Sequence, residues 1–213
     1  MLMMKKIIFG LLLVCSAARV GSQEVEELFI KVPDGIIVLL EEAWRKDLVD
    51  LYKSGKTATL ENTMQGKSTL KKLTNDYLLL QSTDRSTVEL KLLPLINNTY
   101  IICMIETVYG PVADSRVSFY STEWVSIQAD ALLVPVAEDW FLKDDVDRMS
   151  SEFIDAIAKL DIYLVKYSLC EENTSLTAEY MTPQYLNDEY RKKVQPFLKT
   201  GNKIYEWRSG RFE

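Results

Sequence analysis

The sequence predicts an α+β protein built mainly from an antiparallel sheet with helices packed on it. Apolar residues recur at three- and four-residue steps over residues 35–54 and 142–160, which is the helical period. Between residues 57 and 121 the pattern changes to short segments separated by turn-forming residues, and such short connections favour antiparallel neighbours. The order of helix and then strands occurs twice, so the chain forms either two such layers in tandem or one continuous unit.

The helical segments come first in the chain. Residues 24–31 predict a short helix that ends ahead of Pro33, because the residue before a proline avoids the α region. A longer helix is predicted over residues 35–54, with Gly55 as its stop signal. Its apolar stripe consists of Ile37, Leu40, Trp44, Leu48 and Leu51. The charged residues of this segment, among them Arg45, are expected on the face that contacts water.

Six strands are predicted after these helices. Their bounds are 57–64, 69–73, 77–83, 87–96, 99–108 and 116–121. The Asn97-Asn98 sequence suits a tight hairpin between the fourth and fifth strands, because asparagine tolerates a positive φ. Residues 101–105 are apolar on both faces of the fifth strand, which predicts a central strand that is covered on both sides.

The C-terminal third shows the same change from helix to strand. The helix over residues 142–160 begins with acidic residues, which favour the positive N-terminal end of a helix. The segments predicted after it are strands at 162–169 and 176–181, a helix that begins with Thr182 as N-cap and fades before Pro196, and a last strand at 203–208 with Tyr205 and Trp207 on one face.

Residues 1–22 have the three parts of a secretory signal peptide, namely basic residues, an apolar run of about eight residues and then small residues. We expect cleavage after Ser22, and the small residues also permit cleavage after Ala18. Cys15 follows the apolar run, so a lipid anchor at Cys15 is the alternative to a soluble mature protein. The expected location is the periplasm or the outer cell surface.

The domain organisation that follows is a signal peptide at 1–22, an α+β unit at 23–135 and a smaller α+β unit at 136–213, which either stands alone or continues the first. No later segment is apolar for about 18 residues, so no transmembrane segment is expected. Loss of residues 1–22 leaves 22 basic against 31 acidic residues, a net charge of −9. A negative chain with scattered basic residues is not expected to bind nucleic acid.

The sequence contains no histidine, which excludes Ser-His-Asp and Cys-His catalysis and most zinc sites. The acidic run at residues 144–147 does not form an EF-hand loop, because Ser150 stands where the loop counted from Asp145 needs glycine. We therefore expect neither a cofactor nor a metal. Cys103 and Cys170 can form one disulfide or remain two free thiols, and their spacing does not distinguish these alternatives.

Asp114, Ser115 and Arg116 are the candidate ligand-binding residues. They follow a Gly-Pro turn and begin a strand, so a carboxylate, a hydroxyl and a guanidinium could face one ligand. The alternative is a turn in which these side chains close the strand connection and Arg116 pairs with a nearby acid.

The chain resembles an uncharacterised family of exported proteins from anaerobic Gram-negative bacteria. The residues that carry the resemblance are 45–50 (RKDLVD), 90–94 (LKLLP), 114–120 (DSRVSFY) and Trp124. The resemblance covers most of the mature chain. It implies export and a domain of unknown function, and it supplies no catalytic residue.

These observations favour a non-catalytic protein that binds or scaffolds a protein or another envelope component. A small-ligand carrier and an enzyme that uses carboxylates without histidine are the alternatives. A deep pocket with converging acids of perturbed pKa would favour the enzyme, and an apolar cavity without such groups would favour the carrier.

The signal peptide makes a direct prediction for the mature N-terminus. Mass spectrometry of the protein isolated from its own host should find a chain that begins at Gln23. A chain that begins with an acylated Cys15 would identify a lipoprotein, and an intact Met1 would contradict export by this signal.

Overall fold

The computed structural model describes residues 24–213. Two helices come first, α1 at Val25–Ile30 and α2 at Glu42–Lys53. The signal peptide predicted at residues 1–22 and the alternative anchor at Cys15 lie outside the described residues. Within residues 24–213, no helix combines the length and the apolar character needed to cross a bilayer.

The second helix is shorter than the sequence predicts, because residues 35–41 form turns ahead of it. Ile37 and Leu40 are buried as expected, but from this turn segment. The assignment of Arg45 to the water-facing side is also wrong, since its side chain is only 1% exposed. Both differences have one physical cause, because the Arg45 guanidinium donates hydrogen bonds to carbonyl groups of the preceding loop.

The Arg45 guanidinium acts as a hub for the segment between α1 and α2. Its Nε donates to the carbonyl oxygen of Ile30 at 3.1 Å, and its Nη2 donates to that of Val32 at 2.5 Å. Its Nη1 donates to the Leu40 carbonyl and to Asp34 Oδ1. Arginine offers five N–H donors in a fixed fork, so one side chain satisfies several carbonyl groups that would otherwise be unpaired.

Seven antiparallel strands form the large sheet, here called sheet A, in simple sequence order from β1 to β7. They are β1 Thr59–Glu61, β2 Lys67–Leu73, β3 Tyr77–Thr83, β4 Ser86–Pro94, β5 Tyr100–Tyr109, β6 Ala113–Ser121 and β7 Ser126–Ile127. The six predicted strands are confirmed, and β6 begins three residues earlier than predicted. The short edge strand β7 was not predicted.

The central strand β5 is buried on both faces, as the sequence predicts. Ile102 and Met104 face the core that α1 and α2 cover, whereas Ile101, Cys103 and Ile105 face the opposite core. The hairpin to β4 runs through residues 95–99, and Asn98 has the positive φ of 60°. The connection is therefore longer than a two-residue turn.

Four strands form sheet B in the order β11-β10-β9-β8. They are β8 Val165–Leu169, β9 Ser175–Tyr180, β10 Lys203–Arg208 and β11 Arg211–Phe212. Tyr205 and Trp207 are both buried in the core that sheet B shares with sheet A. The described chain thus has a helical layer, sheet A and sheet B in succession, which confirms the α+β prediction.

The predicted helix over residues 142–160 is mostly wrong, since α3 spans only Ser151–Ile157. Its N-cap is Ser150, and the acidic residues lie upstream of it. The preceding segment instead pairs with the chain near residue 198. Lys143 N donates to the Phe197 carbonyl at 2.9 Å, and Lys199 N donates to the Phe141 carbonyl at 2.7 Å. These tertiary hydrogen bonds override the helical period.

The helix predicted from Thr182 is divided into α4 Thr182–Tyr185 and α5 Asp188–Val194. Asn187 caps α5 by accepting from Tyr190 N at 3.0 Å. Thr182 is not an N-cap, because its Oγ1 accepts from Leu164 N and donates to the Ile162 carbonyl. The Thr182 hydroxyl thus connects the start of α4 to the segment that precedes β8.

Arg45→Ala should destabilise the protein by roughly 3 kcal/mol, because it leaves several buried carbonyl groups without donors. Arg45→Lys should recover only part of this loss, since one ammonium group cannot reach all four acceptors. The exposed neighbour supplies the control, and Lys46→Ala should change stability by less than about 0.5 kcal/mol. Urea unfolding measures all three variants, and equal effects of Arg45→Ala and Lys46→Ala would contradict the role of Arg45.

Candidate functional site

The candidate site lies where β8 crosses sheet A beside β6. Strand β8 is an edge of sheet B, and only every second amide group of β8 points toward β9. The hydrogen bonds at the two ends of β8 identify the residues that face β9, because Met181 N donates to the Leu164 carbonyl and Cys170 N donates to the Ser175 carbonyl. The amides of Val165, Tyr167 and Leu169 therefore point away from β9.

Side chains of sheet A accept all three of these amides. Val165 N donates to Asp114 Oδ1 at 3.2 Å, Tyr167 N donates to Ser115 Oγ at 3.1 Å, and Leu169 N donates to Glu89 Oε2 at 3.0 Å. We call these three acceptors, Asp114, Ser115 and Glu89, the edge acceptors. They close an edge that would otherwise expose unpaired backbone groups.

Glu89 is the most buried of the edge acceptors, at 7% exposure. Its Oε2 also accepts from the Tyr77 hydroxyl at 3.1 Å. Burial raises the pKa of Glu89 above its ordinary value of 4.5, and its hydrogen bonds to Leu169 and Tyr77 oppose the rise. Burial and the nearby Glu89 in turn raise the pKa of Tyr77.

A buried lysine lies beside this carboxylate on the same face of β4. Lys91 is 1% exposed, and its Nζ lies 2.8 Å from Asp76 Oδ2 and donates to the Glu171 carbonyl at 2.9 Å. The ammonium also lies 5.8 Å from the centre of the Tyr77 ring. Lys91 therefore ties the end of β8 to sheet A, and its hydrogen bonds are used within the fold.

A cleft of about 340 Å³ opens next to the edge acceptors, and we call it the β6–β8 cleft. It is lined by Asp114, Ser115, Val117, Ala129, Leu133, Pro135, Tyr163, Val165 and Tyr167. The hydroxyl of Tyr163 donates to the Val136 carbonyl, and that of Tyr167 accepts from Val136 N at 3.4 Å. Burial raises the pKa of both tyrosines. The aromatic wall is thus held by backbone contacts.

The structure places only two of the three predicted site residues in this cleft. Asp114 and Ser115 line both the β6–β8 cleft and a neighbouring depression of about 230 Å³, whereas Arg116 lines the depression alone. Arg116 is 75% exposed and pairs with Glu106, to which its Nε donates at 3.0 Å. The hydrogen bond and the charge of Glu106 raise the pKa of Arg116. A shared ligand of all three residues stays a prediction.

The polar side chains at the cleft take part in hydrogen bonds within the fold. Asp114 Oδ1 and Ser115 Oγ already accept amides of β8, and Ser115 Oγ also lies 2.8 Å from Thr107 Oγ1. Across residues 24–213, no three acidic or cysteine side chains are grouped so as to hold a metal ion. Cys103 and Cys170 are free thiols, and burial raises the pKa of Cys103.

Sequence reasoning missed Glu89 and Lys91. Glu89 and Lys91 did leave a signal, because they are two charges within the otherwise apolar run of residues 88–93. Charged residues are almost never fully buried unless they are paired, so charges in a buried strand indicate partners from elsewhere in the chain. Tyr163 and Tyr167 belong to an aromatic-rich C-terminal third that fits either a partner-binding patch or a core, and the sequence favours the core because several of its aromatic residues fall at core spacings.

Comparison with known proteins extends over both sheets. A family model described as "Protein of unknown function (DUF3256)" matches residues 17–212. A solved structure, described as a domain of an uncharacterized protein from Porphyromonas gingivalis W83, is 28% identical with a TM-score of 0.81. That match covers 89% of this chain and 98% of the other. No curated protein matches the chain.

The raised pKa of Glu89 predicts how stability depends on pH. Above pH 4.5 the unfolded state loses this proton while the folded state retains it, so Glu89 costs stability as the pH rises toward its folded pKa. Glu89→Gln keeps an acceptor for Leu169 and Tyr77 without the charge. Its stability relative to the wild type should therefore increase with pH over this window and then level off.

Glu89→Ala separates the charge from the hydrogen bonds. It removes the acceptor of two buried donors and should be about 2 kcal/mol less stable than Glu89→Gln at any pH between 5 and 8, because neither variant titrates at this position. Chemical unfolding of the three proteins across that range tests both effects. A difference between Glu89→Gln and the wild type that does not change with pH would contradict the buried carboxylate.

Proposed function

The chain belongs to the DUF3256 family, and we propose that it is an exported, non-catalytic protein that binds a macromolecular partner at the β6–β8 cleft. The observation that carries the proposal is that the polar atoms at the cleft already serve the fold. Asp114 and Ser115 accept amides of β8, and the tyrosine hydroxyls bond to Val136. A reaction would require such groups to be free to exchange protons or to attack a substrate.

The shape and chemistry of the cleft support binding. Its walls combine apolar side chains, such as Leu133 and Val165, with aromatic rings whose positions are held by hydrogen bonds. Preorganised walls reduce the entropy that a binding site loses when it is occupied. A volume of about 340 Å³ holds one large side chain, so a partner can anchor one apolar residue there while the rest of it contacts the rim.

Charge also supports a partner with basic residues. The mature chain predicted from the signal peptide carries a net charge of −9, and Asp114 is an exposed carboxylate at the cleft. Its Oδ1 accepts from Val165 N, and no hydrogen bond within residues 24–213 engages its Oδ2. An ammonium or guanidinium group next to the anchor residue would complement this carboxylate.

The expected location follows from the sequence of residues 1–22, which has the pattern of a secretory signal. Export would place the partner in the periplasm or on the outer cell surface. The proposed partner is therefore a protein or another component of the envelope.

A charge placed in the cleft should abolish partner binding. Pro135 is an exposed lining residue, so Pro135→Arg introduces a long charged side chain with little effect on the core. Pro33→Arg is the matched control, because Pro33 is an exposed proline on the helical layer. Each purified protein is incubated with an envelope extract, and the bound components are quantified by mass spectrometry.

We expect one envelope component that the wild type and Pro33→Arg both bind. Its recovery with Pro135→Arg should be lower by at least about tenfold, which corresponds to about 1.4 kcal/mol of binding free energy. Equal recovery with all three proteins would place the interaction elsewhere and overturn the proposal. Copurification of a small molecule with the wild type, and its loss with Pro135→Arg, would instead identify a carrier.

A further inference from the structure

The edge of β6 is only half covered by β7. Strand β7 has two residues, and it pairs with β6 only at Phe119 and Tyr120. The chain then leaves the sheet and enters a 3-10 helix at Ala129–Ala131. The first half of β6 is therefore an edge without a strand beside it in the described part of the chain.

The direction of the backbone groups on this half follows from the neighbouring bonds. Ser121 N donates to the Val125 carbonyl at 2.9 Å, so the odd-numbered residues of β6 point their N–H and C=O groups away from β5. Ser115 and Val117 share this orientation. Within residues 24–213, neither residue has a hydrogen-bond partner for its outward backbone groups.

These unpaired groups lie in the β6–β8 cleft. Ser115 and Val117 line it from the sheet side and are half-buried. Ala129, Leu133, Tyr163 and Val165 are also among its lining residues. An edge that is exposed to solvent is ordinary, but an unpaired edge inside an apolar cleft favours an occupant that supplies backbone donors and acceptors.

We propose that an extended segment of the partner protein adds a strand to the edge of β6 at Ser115 and Val117, in line with β7. This inference rests on the proposed function and adds its mode of recognition. Two residues of a strand span about 6.6 Å, so an extended backbone offers donors and acceptors at the spacing of these two residues. A compact small molecule does not match that repeat.

The cleft also defines the chemistry of the added segment. Alternate side chains of the new strand would enter the space between Leu133 and Tyr163, which favours apolar residues. The intervening side chains would lie on the other face of the sheet, where the exposed Asp114 favours lysine or arginine and the half-buried Glu106 is already paired with Arg116. The expected segment thus alternates apolar and basic residues.

The test uses a defined probe, a hexapeptide of alternating lysine and valine with blocked ends. Its twin is N-methylated at each valine, which keeps the charge but removes the donors on one edge. Hydrogen exchange of the full mature protein is followed by NMR. The first peptide should slow exchange of the Ser115 and Val117 amides by at least about tenfold, because strand pairing protects amides. The neighbouring Arg116 and Ser118 amides, which already face β5, should not change.

The N-methylated twin should leave all four amides unchanged. Equal protection by both peptides would show attraction by charge alone and overturn strand addition. The absence of protection by either peptide at millimolar concentration would also overturn it.

A backbone substitution separates this inference from the proposed function. Val117→Pro removes an outward N–H group that has no partner in the described chain, whereas Val117→Ala changes only the side chain. With the envelope partner, Val117→Pro should weaken binding by at least about tenfold and Val117→Ala by less than about threefold. Thermal unfolding verifies that both variants fold, and the peptide experiment stands if Val117→Pro does not.

If Val117→Pro binds the partner normally while Pro135→Arg does not, the partner occupies the cleft without adding a strand. If neither substitution matters, the proposed function fails as well.

Discussion

Sheet B is joined to sheet A by hydrogen bonds that the backbone amides of its edge strand β8 donate to side chains of sheet A. Glu89 lies on β4 and Asp114 and Ser115 lie on β6, so the three edge acceptors reach β8 from two different strands of sheet A. Strand β8 therefore crosses sheet A and does not extend it. The β6–β8 cleft forms where this crossing passes the edge of β6.

This arrangement places ionisable groups in the interior. A buried carboxylate or ammonium loses hydration that its partners must replace, so Glu89 and Lys91 contribute less to stability than apolar residues of the same size could. The role of Glu89 and Lys91 is to fix the position of sheet B on sheet A. Each edge acceptor pairs with one particular amide of β8, and Lys91 pairs with the Glu171 carbonyl, so a shift of sheet B would leave several buried polar groups unpaired. The constraint that fixes the two sheets also shapes the cleft.

Local patterns predict the elements whose surroundings are uniform. Residues 101–105 are apolar in every position, and that pattern alone identifies a strand covered on both sides. Patterns fail where one distant contact decides the structure. The carbonyl groups that bind Arg45 delay the start of one predicted helix to Glu42, and the chain near residue 198 removes residues 142–150 from another helix. The sequence singled out Asp114 and Ser115, but their amide partners lie some fifty residues away, and no local pattern connects them.

Amide exchange in the free protein tests this account most directly, because it reports both edges in one experiment. The amides of Val165, Tyr167 and Leu169 should exchange about as slowly as the paired amides of β9, since side chains of sheet A accept them. The amides of Ser115 and Val117 should exchange much faster than those of Arg116 and Ser118. Rapid exchange of the three β8 amides would contradict the account, because β8 would then lack its edge acceptors and the cleft would lose the wall that they hold.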